Sequence, residues 1–161
     1  MVHNSDLKTL DDFLVNHGVI YVLTGTAALR CHGALPNSHE VHDIDIIVLT
    51  DNENRDALMS MFSELENLSG CRYCEEHYTH RVYIFKIGQD NIKVNVFEGK
   101  AEDTPYHCVN IPEVGSIFVH DVSAILQAKF SLSRPKDYAF FHKYIAWLSN
   151  MSLDSHMSDI Q

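Results

Sequence analysis

Two aspartates one residue apart, in the run Asp43-Ile44-Asp45-Ile46-Ile47-Val48-Leu49, are the best metal-ligand candidates in this chain of 161 residues. Successive side chains of a strand point to opposite faces, so both carboxylates share one face while Ile44, Ile46 and Val48 take the other. Neighbouring carboxylates repel, and a divalent cation compensates. Hard oxygen donors suit Mg²⁺, or Mn²⁺ in its place; Mg²⁺ keeps several waters and draws further ligands from substrate phosphate. Upstream, the apolar run Val19-Ile20-Tyr21-Val22-Leu23 ends at Gly25-Thr26, and Ala27, Ala28, Leu29 and Arg30 follow as helix formers until Gly33. This order predicts a strand, a tight turn and a short helix capped at Thr26. Such a turn leaves backbone N–H groups unpaired, a seat for phosphate. Together these residues predict the binding of a metal-bound nucleotide.

Two other groups have reactive side chains. Cys71-x-x-Cys74 with His77 and His80 permits a zinc site, although zinc motifs place about twelve residues between their ligand pairs and here the pairs nearly touch. Cysteines beside a strand start are the plainer reading, and four cysteines in such a chain are expected as free thiols. His32, His39 and His42 flank the acidic pair, either as ordinary polar loop residues or as groups tuning a metal site.

The elements that must position these residues follow from periodicity. Leu7, Leu10, Phe13 and Leu14 predict a helix over Asp6–His17, and Leu58, Met61, Phe62, Leu65 and Leu68 predict another, begun by a capping box of Thr50 and Glu53. Thr79–Ile87 and Ile92–Phe97 flank Gly88-Gln89-Asp90-Asn91 and read as a hairpin. In its second arm Lys93, Asn95 and Phe97 share a face. Cys108–Ile111 and Ile117–Val119 read as an edge hairpin. Two helices then follow, split by Ser133-Arg134-Pro135, with Asp121 capping the first and Pro135 in the first turn of the second. Tyr138, Phe141, Ile145 and Leu148 are expected to face the core. The fold class expected is α/β (α+β): a mixed, mostly antiparallel sheet packed by helices, with a C-terminal helical pair. A single domain over 1–149 and an aperiodic polar tail over 150–161 are expected.

Gly25-Thr26 at a strand-to-helix turn, with Asp43-Ile44-Asp45 on the next strand, resembles the polymerase-beta-type nucleotidyltransferase superfamily. Lys129 followed by Arg134-Pro135-Lys136-Asp137 is similar to the tail of nucleotidyltransferase-like proteins linked to abortive-infection toxins, and the length and motif also suit antibiotic-modifying nucleotidyltransferases. The resemblance spans roughly residues 5–148. It implies that Gly25 and Thr26 contact the triphosphate, that Asp43 and Asp45 hold the metal, and that Lys129, Arg134 and Lys136 neutralise phosphate charge. It also implies a third, catalytic carboxylate where this chain has Asn95, an amide that brings no charge and accepts no proton at neutral pH. Glu98 falls on the other face unless a bulge intervenes. The arginine the family often carries before its acidic pair is missing from ALPNSHEVH.

The resulting expectation is a metal-dependent transferase passing a nucleotidyl group from a nucleoside triphosphate to a hydroxyl of a small molecule, RNA or protein. The alternatives are a nucleotide-binding partner of toxin–antitoxin type that lost chemistry at Asn95, and a zinc-stabilised interaction domain on Cys71, Cys74, His77 and His80. A net charge of −10 argues against general binding to DNA or anionic membrane. MVHNSDLKTL carries no apolar signal core and no run is long enough to span a bilayer, so a cytoplasmic location is expected.

Overall fold

The computed structural model describes residues 1–65, 71–73, 81–132 and 134–160, and all their side chains except those of 52, 71–73, 81 and 151–160. The chain divides into two compact units, Met1–Ile125 and Leu126–Gln161.

The first unit opens with helix α1 (Asn4–Asn16), strand β1 (Tyr21–Thr24), helix α2 (Gly25–Cys31) and strand β2 (Asp43–Leu49). Helix α3 (Asn52–Glu64), β3 (Cys71–Tyr73), β4 (Arg81–Ile87), β5 (Ile92–Gly99), β6 (Tyr106–Ile111) and β7 (Gly115–His120) follow. The strands form one sheet of seven in the order β3-β4-β5-β2-β1-β7-β6. It is mixed and mostly antiparallel, with parallel pairing only of β2 with β5 and of β1 with β7 among the described residues. Asp43, Asp45 and Asn95 fall on its central strands β2 and β5.

Alternation sets the core. Ile44, Ile46 and Val48 are buried, as are their partners Val94 and Val96 on β5. On β4, Phe85 and Tyr83 continue this face, and α1 and α3 cover it through Phe13 against Phe85 and Phe62 against Tyr83. Burying each such side chain stabilises the fold by about 1.5–3 kcal/mol relative to exposure. The cap of α3 differs from expectation: Asp51 accepts the Asn54 N–H at 2.8 Å, while Thr50 Oγ1 donates to the Gly99 carbonyl. Asn54 is drawn inward and joins the segments before β1 and after β2, bonding Ile20 N, Ile20 O and Leu49 O.

The second unit holds the greater part of α4 (Val122–Leu132) and α5 (Pro135–Ile160). As expected, Asp121 caps α4 by accepting the Ala124 N–H, and Pro135 opens α5. The expected boundary at 149–150 falls inside α5, whose helix runs on through the residues read as an aperiodic tail. The expected apolar stripe is also misplaced: Tyr138, Ile145 and Leu148 are exposed, and Asp137 and Tyr144 are buried instead. A buried aspartate on the inner face disguises that face as polar in the sequence. No described helix is long and apolar enough to cross a membrane.

Candidate active site

Pairing lines up the site residues across one face of the sheet. Asp45 on β2 lies opposite Asn95 on the parallel neighbour β5 and opposite Thr24 on the antiparallel neighbour β1. Directly paired residues point to the same face, so Asn95, Asp45 and Thr24 form a row on the face opposite Ile44 and Ile46. Asp43, one step along the same face, is exposed and pairs with Lys93. The parallel pairing of Leu23 with Val119 places His120 beside Thr24, extending the row onto β7.

Hydrogen bonds join the row in two pairs. Asn95 Nδ2 donates to Asp45 Oδ1 at 2.8 Å, and Thr24 Oγ1 lies 2.8 Å from His120 Nδ1. An amide thus stands against Asp45 where the family pattern puts an acid. Glu98 cannot take that place. The β2–β5 register continues without a bulge to the pair Val48 and Glu98, so Glu98 shares the core face with Val48. Its Oε1 is buried without a hydrogen bond, 3.9 Å from Arg55 Nε.

Gly25 suits the place where it stands. Its φ is +70°, and a Cβ there would lie 2.5 Å from Asp45 Oδ2 and 3.3 Å from Asp45 Cβ. Both the left-handed backbone and the approach of the carboxylate disfavour a side chain. Thr26 is the second residue of α2, and the cap position belongs to Thr24 rather than to Thr26 as expected. The Thr24 hydroxyl makes no capping bond; it is turned to His120.

A second set of contacts surrounds His120. The His32 Nε2–H donates to the His120 carbonyl at 2.8 Å, the His107 Nε2–H donates to Asp121 Oδ1 at 2.8 Å, and the His32 and His107 rings meet edge to face. Burial pushes the His120 imidazole pKa below its ordinary value and His32 adds to that, outweighing the nearby Asp121 charge. The hydrogen bond from His107 holds the Asp121 carboxyl below the usual range, helped by the Ala124 N–H. No sequence motif marked His120 or Thr24. The only available signals were a threonine before the glycine turn and a histidine at the end of a β-prone run.

The expected cations lie in the second unit. There Arg134 Nε and Nη2 bind Asp137 Oδ2 and Oδ1 at 2.7 and 3.1 Å, Lys129 Nζ sits 4.6 Å from the centre of the Phe140 ring, and Lys136 is exposed. Burial alone would raise the Asp137 pKa, yet the bonds and charge of Arg134 hold it below the usual range. Of the histidines expected near the acidic pair, His42 lies in solvent 3.6 Å from Glu40, and Arg30 Nη1 reaches the His39 carbonyl. Cys71 is on β3, but its side chain and Cys74, His77 and His80 lie outside the described residues. Among the described residues, no three His, Cys, Asp or Glu side chains converge on a metal position. Two carboxylates on one open face fit Mg²⁺, which needs only one or two from protein when phosphate supplies the rest. A cavity of about 700 Å³ opens at the far end of α2, lined by His3, Arg30, Cys31 and Glu113 among others, and does not include the aspartates.

No family model matches the chain, and no curated protein sequence matches it. Solved structures do match. A candidate nucleotidyltransferase from Thermotoga maritima, TM1012, superposes with a TM-score of 0.57 at 24% identity over 91% of this chain and 96% of its own. The antibiotic-resistance factor ANT(2'')-Ia matches with a TM-score of 0.59 at 10% identity over 98% and 97%. In complex with adenylyl-2''-tobramycin, ANT(2'')-Ia matches with a TM-score of 0.57 at 11% identity over 88% and 85%. The chain therefore has the nucleotidyltransferase fold.

Proposed function

We propose that this protein is a metal-dependent nucleotidyltransferase that passes a nucleotidyl group to a hydroxyl acceptor. The observation that carries the reading is the close approach of the Asp45 carboxylate to Gly25, a turn residue with a left-handed backbone, on a face that also presents Asp43. A turn held this tightly against a carboxylate suits a site that brings metal and phosphate together. Asp43 and Asp45 would hold Mg²⁺ or Mn²⁺, and Gly25 and Thr26 would contact the triphosphate. Bound Mg²⁺ would supply positive charge to the phosphates and to the departing pyrophosphate. A cytoplasmic location suits such a substrate.

A second reading has its own support. The Asn95 amide on Asp45 is a neutral contact where the family pattern has an acid. This favours a nucleotide-binding partner, of the toxin–antitoxin regulatory kind, that has lost turnover. Pyrophosphate release from each of ATP, GTP, CTP and UTP in the presence of Mg²⁺ separates the readings. The transferase reading expects release by the wild type that rises in Asn95→Asp. Release absent from wild type but present in Asn95→Asp would favour the regulatory reading.

A further inference from the structure

The Asn95 site leaves the acceptor proton without a carboxylate base, and the same row of residues offers a replacement on the opposite side of Asp45. Thr24 is the residue paired with Asp45 across β1, and its hydroxyl is 2.8 Å from His120 Nδ1. Thr24 is partly exposed, whereas His120 is 8% exposed. The imidazole therefore meets the face of the aspartates through the threonine hydroxyl. An N-cap threonine ordinarily bonds the first turn of its helix, but this one does not.

We infer that Thr24 and His120 form a proton relay that serves the acceptor hydroxyl in place of the missing third acid. The inference rests on the transferase reading of the same site. With the His120 proton on Nε2, Nδ1 accepts the Thr24 hydroxyl proton. As the acceptor oxygen bonds to the α-phosphorus, its proton passes to Thr24 Oγ1, and the threonine proton passes to His120 Nδ1. The bond from the α-phosphorus to the bridging oxygen breaks, and its electron pair leaves with pyrophosphate. His120 then returns the proton to solvent.

The surroundings suit a base that is neutral at rest. Burial and His32 disfavour the charged ring. Asp121, held ionised by His107, stabilises the imidazolium once it forms. A proton acceptor works best with a pKa near the operating pH, and such a group contributes about 10²- to 10⁴-fold in rate.

The test uses the full chain, Mg²⁺ with ATP, GTP, CTP or UTP, and water as acceptor, read as pyrophosphate release against pH. His120→Gln and Thr24→Val are each expected to lower the rate about 100-fold and to remove the acid limb of the wild-type profile, with nucleotide affinity retained. Thr24→Ser should keep both rate and profile. In the Asn95→Asp background, where a carboxylate is restored, His120→Gln should cost less than about tenfold. If His120→Gln fails to fold, Thr24→Val carries the same test. An unchanged profile in either variant, an equal loss in both backgrounds, or nucleotide binding without release by wild type would overturn the relay. Loss of metal-dependent nucleotide binding in the wild type is read separately by calorimetry. It would mark failure of the underlying site, and the relay would fall with it.

Discussion

The Asp43–Asp45 face of the sheet and the α4–α5 junction both concentrate charge, but they settle that charge in opposite ways. On the sheet, register forces Asp45 beside Thr24 and Asn95 whatever the electrostatic consequence, and Asp43 stays exposed on the same face. At the junction the charges find local partners: Arg134 is gripped by both oxygens of Asp137, and Lys129 lies over Phe140. Strand pairing can hold like charges in place for a ligand, whereas flexible side chains near a helix start relax into ion pairs. Substitutions on the sheet should therefore alter ligand binding, and substitutions at the junction should first alter stability.

The largest effect is expected at Gly25→Ala. Left-handed backbone alone disfavours alanine by about 1–2 kcal/mol, and the new methyl must also displace Asp45. Thermal unfolding should fall by roughly 3–8 °C, and Mg²⁺-dependent nucleotide binding should disappear. A variant that binds normally would break the contrast, since Asp45 would then not depend on the turn.

Asn95→Asp sharpens the contrast from the other side. A second carboxylate on Asp45 should destabilise the metal-free protein by about 1 kcal/mol, and Mg²⁺ should restore the loss. Differential scanning calorimetry would show a larger Mg²⁺-induced rise in Tm than in wild type.

At the junction, Asp137→Asn removes the Arg134 ion pair and weakens the bond that Asp137 accepts from the Arg134 N–H. A loss of about 1–3 kcal/mol with nucleotide affinity changed less than threefold is expected. Lys136→Ala, at an exposed site, should weaken Mg²⁺-nucleotide affinity by at most about threefold, measurable by calorimetry.

The smallest effects are in pH. His17 donates to the Phe13 carbonyl and to Glu64, which raises its pKa, so its contribution is complete below about 6.5 and is lost as pH rises through the folded value. His120 is shifted the other way. The unfolded chain binds its proton more readily, so its contribution to stability is present above about 6.5 and is lost as pH falls toward the folded value. Denaturation of His17→Gln and His120→Gln across pH 5–8 should give slopes that depart from wild type in opposite directions.

Much of the site face could be read from sequence because a period of two assigns faces without reference to the rest of the chain. Asp43, Asp45 and Asn95 were legible for that reason, and so was the wrong-faced Glu98. His120 was not, because its place depends on the order β2-β1-β7, which joins residues far apart in sequence. The inner face of α5 was missed for a different reason: Asp137, buried through its bond to Arg134, breaks the apolar stripe that periodicity seeks. Thr50 lost the cap to Asp51 because a threonine that pairs with the Gly99 carbonyl cannot also bond the helix start.

The proposed transfer requires that Asp43 and Asp45 bind a metal–nucleotide complex. The most direct test of that requirement is calorimetric titration of ATP, GTP, CTP and UTP, with and without Mg²⁺, into wild type and the double variant Asp43→Ala, Asp45→Ala. Binding of at least one nucleotide that requires Mg²⁺ and is lost in the double variant is the predicted result. Equal binding by the double variant, or no binding by wild type with Mg²⁺ present, would contradict it.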